Sequence, residues 1–232
     1  MSQQIELLDH NKHGHIKLGN VDYSFMQEQH LSPITLHEFP MAAIEHPIVF
    51  VKNAETGEFQ AVVMLGLKPG INMSVKQGKW TGLYQPHVVR DYPLGLIFNP
   101  EVEDKVWIGI RENGVVVDEQ NGQALFDGEA ETDYLTARKK ALVEHYQQDV
   151  TSKRLFAKLA EMGLLESQTL TVEVKGEKRN INGIYLINEA NVNKLTDEQF
   201  AELRQLGLLG PIYSHLTSLH QIHRLARTEA LS

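Results

Sequence analysis

Short runs of β-branched and aromatic residues, each followed by turn chemistry and a second such run, recur three times along the chain, with a helical stretch before each. Ile48-Val49-Phe50-Val51 precedes the turn sequence Asn53-Ala54-Glu55-Thr56-Gly57, and Phe59–Leu67 returns as its partner. Leu94–Phe98 and Val106–Ile110 flank the polar stretch Asn99–Lys105, and Glu112-Asn113-Gly114 signals a further hairpin into Val115-Val116-Val117. Thr169–Val174 alternates polar and apolar residues, turns at Lys175-Gly176-Glu177-Lys178, and pairs with Asn180–Ile187. Short hairpins separated by helices argue against a doubly wound parallel sheet. They predict an α+β fold, an antiparallel sheet built from helix–hairpin units with a helical C-terminal part.

The helical segments carry their own punctuation. Leu36–Glu45 is expected to form a short helix stopped at His46-Pro47, and Gln85–Asp91 a weaker one ended by Tyr92-Pro93, because the residue before proline is pushed out of the α region. Asp133–Met162 carries an apolar stripe, with a break expected at Thr151-Ser152 and a glycine cap at Gly163. Phe156–Leu165 and Phe200–Leu209 share Phe, Ala, Leu, Gly, Leu and Leu in register, which reads as one helix-end solution used twice. Thr196-Asp197-Glu198-Gln199 fits a capping box. Pro211 is expected to open a last helix with Ile212, Leu216, Leu219, His223 and Ala226 on one stripe. The expected layout is one compact unit, with a mainly β part over 1–130 and a helix-rich part containing one hairpin over 131–232. Glu119–Asp133 is the expected joint.

Charge and composition narrow the function. Lys and Arg number 22 against 30 Asp and Glu, a formal charge of −8, which disfavours nonspecific binding to nucleic acid or anionic membrane. The absence of cysteine excludes disulfides, thiolate metal sites and a cysteine nucleophile. Met1–Glu6 has neither a basic start nor an apolar run, so no secretory signal and no membrane span are expected, and the chain is expected to be cytoplasmic. A nucleophile elbow, a dinucleotide glycine motif, a P-loop and a His-Glu-x-x-His pair are all missing.

Three constellations remain as candidates. His13 and His15 would face one side of a strand or turn and share a metal, because side chains alternate with period two. His215, His220 and His223 form a second group, the last two being helical neighbours. Either cluster would suit a metal-dependent enzyme, and each also reads as ordinary packing or a polar loop. The third is the stretch from Gly78 to Pro93, where Trp80, Tyr84, His87, Arg90 and Tyr92 combine aromatic area with directional polar groups, as a recognition loop requires. The same aromatics would equally serve as core anchors. The reading favoured is a noncatalytic binding protein with no cofactor, contacting a peptide or protein through those five residues.

Over most of its length the sequence resembles the SapC family. The resemblance runs through Leu31–Ile34, Glu38-Phe39, Ala42-Ala43, His46–Phe50, Leu65-Gly66-Leu67, Gly70, Asn72, Gly78, Trp80, Tyr84, Pro86, Arg90 and Tyr92-Pro93. It continues through Ala124-Leu125-Phe126, Gly183-Ile184-Tyr185, Leu195 and Ile212–Leu216 with Ser218-Leu219. It departs at Met73-Ser74-Val75-Lys76, where the family favours Leu-Phe-Val-Asp, at Leu94, where it favours Phe, and at His46, where it favours Tyr. The resemblance supplies no reaction or catalytic residues. It implies an accessory role beside modifying enzymes resembling flavin-dependent tryptophan halogenases or cupin-like oxygenases. Its name also implies a surface-layer component as an alternative.

Overall fold

In a strand with apolar residues at every position, successive side chains are buried on opposite faces of the sheet. The computed structural model, which describes residues 5–98, 106–111 and 121–231, has this arrangement at its centre. Ile48–Lys52 and Phe59–Met64 lie inside a five-stranded antiparallel sheet of order Leu165–Val174, Glu177–Ile187, Ile48–Lys52, Phe59–Met64, Leu31–Pro33. Ile48, Phe50, Ala61 and Val63 face one hydrophobic cluster with Phe39, Phe156, Leu159, Leu203 and Ile212. Val49, Val62 and Met64 face another, covered by Ile222, Leu225 and Ala226 of the helix Gln221–Leu231. Phe156 stacks on Phe39 at 6.1 Å and meets Phe50 edge-on at 5.2 Å. The mixed helix and antiparallel strand content is the α+β class the sequence predicts.

The chain divides into two compact units, each made of two segments. Met1–Ser24 with His87–Gln147 forms one, and Phe25–Pro86 with Gln148–Ser232 the other. The first unit holds a three-stranded antiparallel sheet of order Glu6–Leu7, Val106–Ile110, Leu94–Phe98. Its core joins Leu94, Ile108 and Ile110 to Ile16, Leu18, Leu125, Leu135 and Leu142. The stretch after residue 120 forms the short strands Gln123–Ala124, Phe126–Asp127 and Ala130–Glu131. The expected Asn99–Lys105 turn, the Glu112-Asn113-Gly114 signal and the Val115–Val117 strand lie outside the described residues, as does the start of the expected joint.

The paired helix ends are made alike. Gly163 and Gly207 take φ +69° and +71°, and behind them the Leu164 and Leu208 amides donate to Leu159 and Leu203 carbonyls at 3.0 and 2.9 Å. Both leucines are fully buried, which is the left-handed cap with its hydrophobic contact. The Thr196 amide donates to Gln199 Oε1, and the Gln199 amide to Thr196 Oγ1, at 3.0 and 3.3 Å.

Three expectations need correction. The segment from Leu36 is a 3-10 turn, Leu36–Glu38, followed by only one helical turn, Phe39–Ala42. The helix Asp133–Glu161 runs unbroken through Thr151-Ser152. Ser152 donates its hydroxyl to the Gln148 carbonyl four residues back, at 2.6 Å, and accepts the Leu36 amide at 2.8 Å, so its polarity is satisfied without a break. The C-terminal region is two helices, Leu209–Ser218 and Gln221–Leu231. Ser218 turns its hydroxyl onto the His215 carbonyl at 2.6 Å and accepts the Ile48 amide at 2.9 Å. The interruption after Ser218 takes His223 off the expected stripe and into solvent. Among the described residues no helix is long and apolar enough to cross a membrane.

Candidate functional site

A loop keeps a fixed shape when its backbone polar groups are bonded by side chains from beneath. The segment after the short strand Lys79–Trp80 is held this way. Trp80 Nε1 donates to the Tyr84 carbonyl at 2.9 Å, closing the loop on itself. The Tyr84 amide donates to Glu45 Oε2, also at 2.9 Å. A Cβ on Gly82 would stand 2.9 Å from Trp80 Nε1 and 3.0 Å from Glu45 Oε2, so any side chain there would displace one of the two groups that close the loop.

The loop rests on buried polar groups. Tyr84 is 8% exposed and packs with the Phe39–Phe50–Phe156 cluster. Its hydroxyl donates to Glu38 Oε1, while Glu38 Oε2 accepts the Thr35 amide and hydroxyl at 2.8 and 3.1 Å. Glu45 is buried as well. Arg224 donates through Nε to the Glu45 carbonyl at 3.0 Å, and its Nη1 lies 3.4 Å from Glu45 Oε1. His46 is sealed beside this pair, edge-on to Tyr84 at 6.2 Å. Burial pushes its pKa down to about 4, against the opposing pull of Glu45.

From this bonded base apolar side chains project outward. Leu83 is 88% exposed; Ile44, next to Glu45, is 59% exposed, and Met41 58%. The two segments that Glu45 ties together therefore both offer apolar surface. Sequence reading missed Leu83, Met41 and Ile44, and also the buried acids. The only local signal was Thr35-x-x-Glu38, a helix-start spacing that points to one of Glu38's partners.

The five sequence-predicted residues do not fall together in one unit. Trp80 and Tyr84 belong to one, and His87, Arg90 and Tyr92 to the other. In that other unit Tyr92 is 5% exposed, while Arg90 is exposed at the end of the helical turn His87–Arg90. His87 stacks on His145 at 3.8 Å, with the rings 19° from parallel. His145 Nδ1 lies 2.6 Å from Asp91 Oδ2. Arg138 donates through Nη2 to the Arg90 carbonyl at 2.8 Å, and this nitrogen lies 3.7 Å from Asp91 Oδ1. Asp91 thus orients one imidazole and the stack orients the second. Asp91→Ala is expected to lower the unfolding free energy by about 1.5–3 kcal/mol, the worth of a hydrogen bond to a charged partner, measured by urea titration. Asp91→Asn, which keeps an acceptor for the ring, is expected to cost less than half as much.

Neither candidate histidine cluster is assembled. His13 closes the turn His10–His13 with its ring buried and Nδ1 3.0 Å from the Asp9 amide, whereas His15 is exposed. The helical geometry of residues 10–13 replaces the alternation that would have aligned them. His215 is fully buried, and its Nε2 accepts the Ile187 amide at 3.1 Å, while His220 and His223 face solvent. Among the described residues no three His, Asp or Glu side chains converge as a metal site would require.

The family scan matches the chain to the SapC family over residues 8–225. No curated protein and no solved structure matches it.

Proposed function

The chain belongs to the SapC family, and we propose that it is an accessory protein that binds a peptide or protein partner through the Trp80–Tyr84 loop. One observation carries this reading: Leu83 stands almost fully exposed on a loop whose backbone is bonded on both sides of it, before it by the Thr81 amide donating to the Ser74 carbonyl at 2.8 Å and after it at Tyr84. A fixed apolar projection loses little conformational entropy on docking, so more of its buried area is realised as affinity. Trp80 adds half-buried aromatic surface beside it, and Tyr84 acts from beneath as the post that sets the loop's height. Of the three candidates in the other unit, Arg90 is the exposed one and the next to substitute. Modifying enzymes resembling tryptophan halogenases or cupin-like oxygenases are the first partners to try.

The test is affinity capture with the wild-type chain beside Leu83→Ser and the double variant Met41→Ser/Leu83→Ser. A partner held through this surface is expected to bind at least tenfold more weakly to Leu83→Ser, the loss of an interface anchor. The urea midpoint is expected to stay put, because Leu83 contributes little to the core. Equal capture by all three proteins removes the loop from the reading.

A further inference from the structure

The unit that carries the loop also holds a cleft of about 300 Å3 against its C-terminal helix and the turn between its two longest strands. Ile71, Met73 and Val174 give it apolar walls continuous with the second hydrophobic cluster. Three cations line it as well: Lys68, Lys175 and Arg179. The two acids present are unequally placed. Glu229 is largely buried and bound by Arg179 through both oxygens, at 2.8 and 2.9 Å, with Lys68 Nζ 3.8 Å away. Glu177 is exposed. Three positive side chains against two negative ones leave the cleft locally positive, in a chain whose formal charge is −8.

Lys175 is an unexpected residue at its position. Val174 pairs with Glu177 across a two-residue turn, and Lys175 adopts φ +53° there. Turns of this kind favour Asn or Asp before glycine, because a longer side chain gains nothing from the left-handed backbone. The lysine therefore sits at a conformationally unfavourable point that brings a cation to the cleft.

We propose that this cleft binds a small amphipathic anion, a carboxylate with a short hydrocarbon body, whose charge meets Lys175 and Lys68 and whose body lies on Ile71, Met73 and Val174. Its size is at the lower end for small-molecule sites. The site is separate from the Trp80–Tyr84 loop and does not depend on partner binding there.

The test uses the full chain and three probes of equal length: octanoate, octanol and octylamine. Titration calorimetry is expected to show octanoate binding about tenfold more tightly than octanol, and octylamine not binding. Lys175→Asn and Lys68→Gln are each expected to weaken octanoate about fivefold. Asparagine suits the left-handed turn, so Lys175→Asn is expected to melt no lower than the wild type, which separates lost binding from lost folding. With methyl-labelled methionine, octanoate is expected to shift Met73 and leave Met41 in place. Octanol or octylamine binding as tightly as octanoate overturns the proposal. So do unchanged octanoate affinity in both variants, no octanoate binding at millimolar concentration, and a shift at Met41 without one at Met73.

Discussion

Acidification from pH 7 to 4.5 is expected to remove about 5 kcal/mol of stability from the unit built of Phe25–Pro86 and Gln148–Ser232, through two histidines alone. His215 is enclosed beside Phe50, with ring centroids 5.4 Å apart, and accepts the Ile187 amide. Burial pushes its pKa down to about 3, and that of His46 down to about 4. Both rings are neutral in the native state, whereas in the unfolded chain each takes a proton near pH 6.5. The unfolded state therefore binds more protons than the native state as pH falls below 6.5, and stability falls with it. Each histidine costs up to about 1.4 kcal/mol per pH unit until its own native pKa is reached. Above pH 6.5 the contribution is complete. Urea titrations at pH 7, 6, 5 and 4.5 give the slope. His215→Gln keeps an acceptor for the Ile187 amide but has no proton to gain, so the difference between wild type and variant isolates this ring. The variant's slope is expected to be about half as steep over that interval. Parallel profiles would mean that His215 is protonated in the native state.

Features set by near neighbours were readable from the sequence, and features set across the fold were not. The strand pair Ile48–Lys52 and Phe59–Met64 follows from β-branched runs around an Asn-to-Gly turn, and the two leucine-backed glycine caps from their shared spacing. Each depends on residues fewer than about twenty apart. Ser152 looked like a helix breaker because its partner, the Leu36 amide, is 116 residues away. His223 looked like a core residue because the interruption after Ser218 depends on a hydroxyl that also holds the Ile48 amide 170 residues distant. The recognition stretch stands out by its aromatic density, a signal that cannot tell a ring on the surface from one beneath it. Tyr84 and Tyr92 are buried, and the most exposed residue of the loop, Leu83, attracted no notice because a lone leucine carries no chemical signature. The acids that hold the loop were silent for the same reason as Ser152: Glu45 meets Tyr84 39 residues later and Arg224 179 residues later.

Glu45→Ala is expected to be the most damaging single change to the loop, lowering stability by about 2–4 kcal/mol and weakening partner capture with it. Glu45 serves two groups that differ in their access to water. The Arg224 side chain is 42% exposed, so its guanidinium can turn to solvent once the carboxylate is gone. The Tyr84 amide belongs to a buried residue and has no such recourse. Most of the cost therefore arises at Tyr84, and Arg224→Ala is expected to cost about 1 kcal/mol or less, as exposed pairs do. Glu45→Gln keeps an oxygen for the Tyr84 amide and is expected to fall between the two. Hydrogen exchange at the Tyr84 amide distinguishes a local effect from a global one. It is expected to quicken in Glu45→Ala by more than the loss of global stability accounts for, and to change little in Arg224→Ala. Equal losses in the two alanine variants would place the tie at the C-terminal helix instead. The loop would then owe its shape to the Trp80–Tyr84 bond together with the Thr81 bond to the Ser74 carbonyl, and Trp80→Phe, which deletes the indole donor, would become the variant that most weakens capture.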